Sequence, residues 1–187
     1  MSVPDLIPIA HEPDYRTRTI GRWRDGQFFA SVTAAFPESW SDSDGDGDGD
    51  GDGDGDGDGD GGWQASKRWY AVLHTFDPAG RHLRSRIEFT GTSASGERQA
   101  VDAADRVLTA WLDALPQREF GDIAIAPFAV RQDGVLFGLV LEERDDEDGE
   151  DGEDGEEDDE EEGEEVWAEF YPDQLGFTAP WDGTYDT

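Results

Sequence analysis

The chain contains no cysteine. Disulfides, thiolate metal ligands and cysteine nucleophiles are therefore excluded. Lysine is almost as scarce, with Lys67 alone beside 13 arginines. Together with the abundance of Gly, Ala and Asp, this reads as the codon bias of a GC-rich genome. Long apolar runs are missing too. No stretch approaches the roughly 18 consecutive apolar residues that span a bilayer. Met1 to Tyr15 has no basic leader region and only a short apolar stretch, Leu6 to Ala10, so no signal peptide is expected. No membrane partner follows, and the expected location is cytoplasmic.

Charge is what the chain has in excess. Its 187 residues carry a formal net charge of -33. Such a charge repels nucleic acid and anionic membrane, so neither is expected as a partner. The acids are unevenly placed. Asp44 to Asp60 holds nine Asp in strict alternation with Gly, and Asp145 to Glu165 holds 17 further carboxylates. The rest of the chain carries 21 acids against 14 bases, an ordinary balance for a globular protein.

Composition therefore predicts one α+β domain over 1–187, interrupted at 42–62 and at 143–165 by disordered acidic insertions. The Gly-Asp repeat is not a calcium loop of the EF-hand kind. The twelfth position from any Asp within it is Gly, where that loop needs Glu, and no helix pattern flanks it. Nor does it carry the apolar residue per repeat that a calcium β-roll needs.

The remainder alternates between strand and turn signals. Thr17–Arg24 and Gln27–Phe36 read as a hairpin around Asp25-Gly26, a pair suited to positive φ angles. Phe28, Ala30, Val32, Ala34 and Phe36 alternate onto one expected core face. Lys67–Phe76 and His82–Thr90 form a second hairpin across Asp77-Pro78-Ala79-Gly80. Leu83, Ser85, Ile87 and Phe89 share one side of its return strand. In Glu97–Leu115, residues Ala100, Ala104, Val107, Leu108, Trp111, Leu112 and Leu115 recur at helical spacing. Ser93 or Ser95 is the expected N-cap, and Pro116 ends the helix. Ile123–Arg131 and Val135–Leu141 flank a Gln132-Asp133-Gly134 turn, and Val166–Tyr171 returns.

The order β-β-β-β-α-β-β-β predicts a two-layer fold. It comprises a mainly antiparallel sheet of six or seven strands and one long helix on one face. The other face is left open, or covered by the termini or by a second copy in a homo-oligomer.

Candidate chemistry rests on few residues. His74 and His82 lie near the two ends of one hairpin with Asp77 in its turn. Residue 74 is expected opposite residue 83. A His pair with a carboxylate can bind a metal or move protons; the plain alternative is two strand residues near a turn. His11-Glu12-Pro13-Asp14-Tyr15 is a polar cluster. Trp181, Asp182 and Tyr185 mix aromatics with carboxylate in the tail, as a recognition surface or as an anchor for the tail. Gly91 to Gly96 matches neither a phosphate loop nor a nucleophile elbow.

The candidate ligand or partner surface is thus His11, Tyr15, His74, Asp77, His82, Trp181, Asp182 and Tyr185. No catalytic set, metal site or cofactor is assigned.

Four stretches resemble a known family. They are Ile7 to Tyr15, Gly26 to Phe29, His74 to Asp77 with Gly80 and His82, and Gly176-Phe177 through Pro180-Trp181-Asp182-Gly183 to Tyr185-Asp186-Thr187. The chain resembles bacterial proteins labelled formate hydrogenlyase regulatory protein. The likeness covers nearly all of the non-insertion sequence and excludes both acidic segments. It implies a cytoplasmic regulator acting through protein contacts, and it carries over no catalytic residues.

The expectation is thus a non-enzymatic regulatory or interaction protein whose partner is a protein. The alternative is a small-ligand-binding or hydrolytic protein with a His/carboxylate pocket on the open sheet face.

Loop closure costs only about 0.6 kcal/mol per doubling of loop length. Deleting Asp44 to Asp60 should therefore leave a cooperative melt, followed by circular dichroism.

Overall fold

The computed structural model describes residues 3–36, 66–143 and 166–187. The expected Gly-Asp insertion at 42–62, and 144–165 of the expected acidic run, lie outside the described residues. Among the described residues no helix is long and apolar enough to cross a membrane.

The fold is α+β and its strands pair antiparallel. Eleven strands are described: β1 Ile7–Ile9, β2 Ile20–Trp23, β3 Gly26–Ala35, β4 Arg68–Phe76, β5 His82–Thr92, β6 Glu119–Phe120, β7 Ile123–Ile125, β8 Phe128–Gln132, β9 Val135–Glu143, β10 Val166–Tyr171 and β11 Leu175–Phe177. Helix α1 spans Glu97–Asp113. The strands do not form the expected single sheet. They divide into a five-stranded sheet ordered β5-β4-β3-β2-β6, a four-stranded sheet ordered β11-β10-β9-β8, and a β1-β7 pair.

The helix covers one face of the five-stranded sheet. Ala104, Leu108 and Leu112 pack onto Phe28, Ala30, Ala71 and Leu73. The opposite face is neither open nor left to a second copy. Phe29 and Phe76 pack there against Leu139, Phe170 and Phe177 of the second sheet and the isoleucines of β1 and β7. Tyr70 and Val72 pack against Val135 and Phe137. The result is three layers instead of two. The cause lies in β3 and β4. Odd and even positions are both apolar in Phe28-Phe29-Ala30 and in Tyr70-Ala71-Val72-Leu73, so both faces need cover.

Local chemistry moves several boundaries. In the first hairpin Trp23 pairs with Gly26, so Arg24 and Asp25 form the two-residue loop. Asp25 keeps a negative φ, against expectation. The Asp133-Gly134 turn does take the two positive φ angles of a type I′ hairpin, 55° and 74°. Ser93 and Ser95 do not cap α1. They form a short 3₁₀ turn in which Thr92 and Ser95 cap each other, and α1 begins after Gly96 with no side-chain cap. Ile123–Arg131 is split at Ala126-Pro127, because proline offers no ladder N–H; β7 pairs with β1 and β8 with β9. Strand β9 runs on through Glu142 and Glu143, paired with Trp167 and Val166. The acidic run therefore starts later than its composition suggests.

Two bulges in β5 shift register at Trp69/Tyr70 and at Thr75/Phe76. Ser85, Ile87 and Phe89 keep one shared face, opposite His74, Val72 and Tyr70, while the second bulge leaves Leu83 unmatched; Leu83 and Phe89 are 58% and 48% exposed.

Phe29 stacks on Phe170 with centroids 3.9 Å apart and joins the two sheets. Phe29→Ala should cost about 3–5 kcal/mol in urea unfolding, whereas Phe89→Ala should stay within about 0.5 kcal/mol.

Candidate functional site

The bulge at Leu83 sets the histidine geometry. Thr75 pairs with Arg84 and Phe76 with His82, leaving Leu83 unmatched. Strict alternation would put His82 on the face of Arg84. The extra residue turns it onto the face of Ser85 instead. His74 pairs with Ser85, not with residue 83.

The Ser85 hydroxyl then sits between both imidazoles, 2.7 Å from His74 Nδ1 and 2.9 Å from His82 Nε2. It donates to one ring and accepts from the other. His74 is fully buried against the rings of Phe128 and Phe170. Burial, with the charge of His82 adding to it, pushes its pKa down to about 3. Burial also lowers the pKa of His82, whose ring stacks on Phe128 at 4.4 Å.

The remaining candidates do not join this cluster. Asp77 accepts bonds from the Arg81 main chain, Nε and guanidinium, the last at 2.7 Å, and closes its own turn. Those bonds, the main-chain one foremost, hold its carboxyl below the ordinary range. His11 donates from its main chain to Asp122, pairs through Nε2 with the Arg18 carbonyl, and stacks on Phe120. Asp182 accepts from the Thr184 hydroxyl at 2.6 Å and from its main-chain N–H at 3.0 Å. Trp181 and Tyr185 pack against the inter-sheet core and pin the tail. Tyr15 is 67% exposed. Among the described residues, no group of three or more His, Asp and Glu is placed to hold a metal.

The larger site is a cleft of about 700 Å³ that the sequence reading missed, apart from Asp14 and Tyr15 on its wall. Strand β2 pairs with β3 only as far as Ile20–Phe29. One more main-chain bond follows, from Ala30 N–H to the Thr19 carbonyl, while the Thr19 hydroxyl donates to the Ala30 carbonyl. The chain before Thr19 turns away through an Arg18-to-Tyr15 bond. Strand β4 continues to pair with β3 through Ala35. Beyond Ala30, β3 therefore has an edge that is free among the described residues. Antiparallel alternation points the N–H and C=O groups of Val32 and Ala34 along it.

The cleft lies at this edge. Trp69 and Leu108 wall it on the helix side, and the Pro172-Asp173-Gln174 turn on the other. The Asp173 carboxylate accepts from Ser31 Oγ at 3.0 Å, and the Arg16 guanidinium donates to the Asp173 carbonyl at 3.2 Å. Burial raises the Asp173 pKa, against the pull of the Thr33 and Ser31 hydroxyls and of Arg16. Lys67 stands over the Trp69 ring at 4.8 Å. The one legible hint was Ser31 and Thr33, small hydroxyls on a strand otherwise made to be buried.

Comparison with protein-family models, curated proteins and solved structures finds no significant match.

The depressed His74 pKa sets a pH dependence. Unfolded His74 takes up a proton below about 6.5, whereas the folded ring stays neutral until about 3. Stability is thus full above pH 6.5 and falls as pH drops toward 3, by up to about 1.4 kcal/mol per pH unit. Between pH 6.5 and 5, above most carboxylate titration, melting should fall in the native chain and fall less in His74→Gln.

Proposed function

We propose that this chain is a non-enzymatic cytoplasmic regulatory protein that acts by binding another protein. The observation that supports this most is the edge of β3 that no described strand pairs, set in a cleft of about 700 Å³. Exposed strand edges take up extended peptide segments by adding a strand. The main chain then supplies affinity, and the flanking pockets supply selectivity. Here Val32 and Ala34 offer the main-chain donors and acceptors, and Asp173, Arg16 and Trp69 flank them. Among the described residues the cleft walls include no histidine to serve as base for a nucleophile. The resemblance to formate hydrogenlyase regulatory proteins points the same way.

A second reading, a hydrolytic protein, is favoured by one observation. The Ser85 hydroxyl lies within hydrogen-bond reach of two imidazoles, a distance suited to nucleophile activation. Against it, His74 Nε2 has no orienting partner among the described residues. Ser85 also does not line the cleft.

Selection of random displayed peptides against the full chain tests the proposal. Val32→Pro removes an edge donor without touching the β3–β4 ladder, a substitution that edge strands accept. It should weaken the selected peptides about tenfold or more while melting is kept. Thr33→Pro breaks the ladder itself and should lose the cooperative melt. No enrichment, or equal binding by Val32→Pro, would overturn the reading. Ester hydrolysis that disappears in Ser85→Ala would replace it with the second.

A further inference from the structure

A second cavity, of about 220 Å³, opens on the helix side of the five-stranded sheet, beyond the last turn of α1. Its walls are Trp23, Trp111, Arg84, Arg86, Leu73 and Leu115, with Thr75 and Ala114 completing them. Among the described residues no Asp or Glu lines it. Register places the two arginines. Arg84 pairs with Thr75 and Arg86 with Leu73, so both guanidinium groups rise from β5 on the same face. The Arg86 guanidinium lies over the Trp111 ring, 5.9 Å from its centroid, and this cation–π contact limits its freedom. The Thr75 hydroxyl is already spent on the Arg84 carbonyl.

A second, independent feature lies in the same wall. The Trp23 indole N–H is buried with no acceptor among the described residues. A buried donor left unpaired carries a free-energy penalty. The cavity thus presents two guanidinium forks around an apolar floor, with the Trp23 and Trp111 rings in its wall.

We infer that this cavity is a binding site for a small monocarboxylate with a flat or branched apolar body. Guanidinium forks match the two oxygens of a carboxylate. The indole rings and leucines match an aromatic or branched hydrocarbon. The volume lies below the range of drug-sized pockets, which restricts the ligand to a small molecule and excludes a peptide. The site is independent of the β3 edge, which lies across β4 and β3 from β5 in the sheet order. The net charge of -33 repels anions at long range. At about 0.15 M salt, screening confines that repulsion to roughly 8 Å, and the local arginine pair dominates.

Titration of the full chain with phenylacetate at that ionic strength tests the site by NMR of the tryptophan indole N–H groups. Trp23→Phe assigns the relevant resonance. Saturable shifts of the Trp23 and Trp111 signals are expected. Arg84→Gln and Arg86→Gln should each weaken binding about tenfold or more. Both side chains are exposed, so both variants should melt as the native chain does, and phenylacetamide should bind far more weakly. Three results would overturn the assignment: no saturable shift up to the solubility of phenylacetate; shifts unchanged in the double variant; or displacement by chloride as effective as by phenylacetate, which would leave only a nonspecific anion site.

Discussion

Burial of β3 and β4 on both faces is the constraint on which the rest depends. Phe28 and Ala30 of β3 meet the helix, while Phe29 of the same strand meets the second sheet. A strand apolar on both sides removes about twice the surface of an amphipathic one, at roughly 25 cal/mol per Å². It also needs two covering layers. The helix supplies one. The other is assembled from β8 to β11 and the β1-β7 pair. The ion pairs Arg24–Asp25, Arg81–Asp77 and Arg118–Asp113 are near in sequence, and each has at least one solvent-exposed partner; such surface pairs contribute little. Cohesion comes from packing.

The same arrangement produces the irregularities that carry chemistry. A bulge adds one residue to β5 and rotates His82 onto the face of Ser85 and His74. Strand β2 is shorter than β3, and that difference in length leaves an edge to which nothing described pairs. Helix α1 ends before it has covered the far end of the sheet, and a cavity remains between Trp111, Trp23 and the β5 arginines. Each site exists because two elements of unequal length meet.

Electrostatics divides the molecule in another way. Its net charge is -33, yet the cleft and the small cavity both have arginines in their walls. Local cations set which groups are held, whereas the overall field sets which partners approach. A basic partner gains from the long-range field, and a small anion must be held by the arginine pair.

Sequence alone determined the elements whose pattern is local. The helix stripe from Ala100 to Leu112, the strong strands around Phe28 and Leu73, and the Asp133-Gly134 turn were all legible, because period and turn chemistry need only neighbouring residues. The α+β class followed from their order. Tertiary structure decided the rest. It divided the strands into sheets, placed a second sheet on the face expected to be open or covered by the termini or a second copy, and left Leu83 unmatched at a bulge. Asp173 and Ser31 gave no joint signal, being 142 residues apart. Arg84, Trp23 and Trp111 sit on three elements whose meeting no local pattern encodes. Periodicity reports which face a residue takes along its own strand or helix, and only packing between distant segments determines what that face meets.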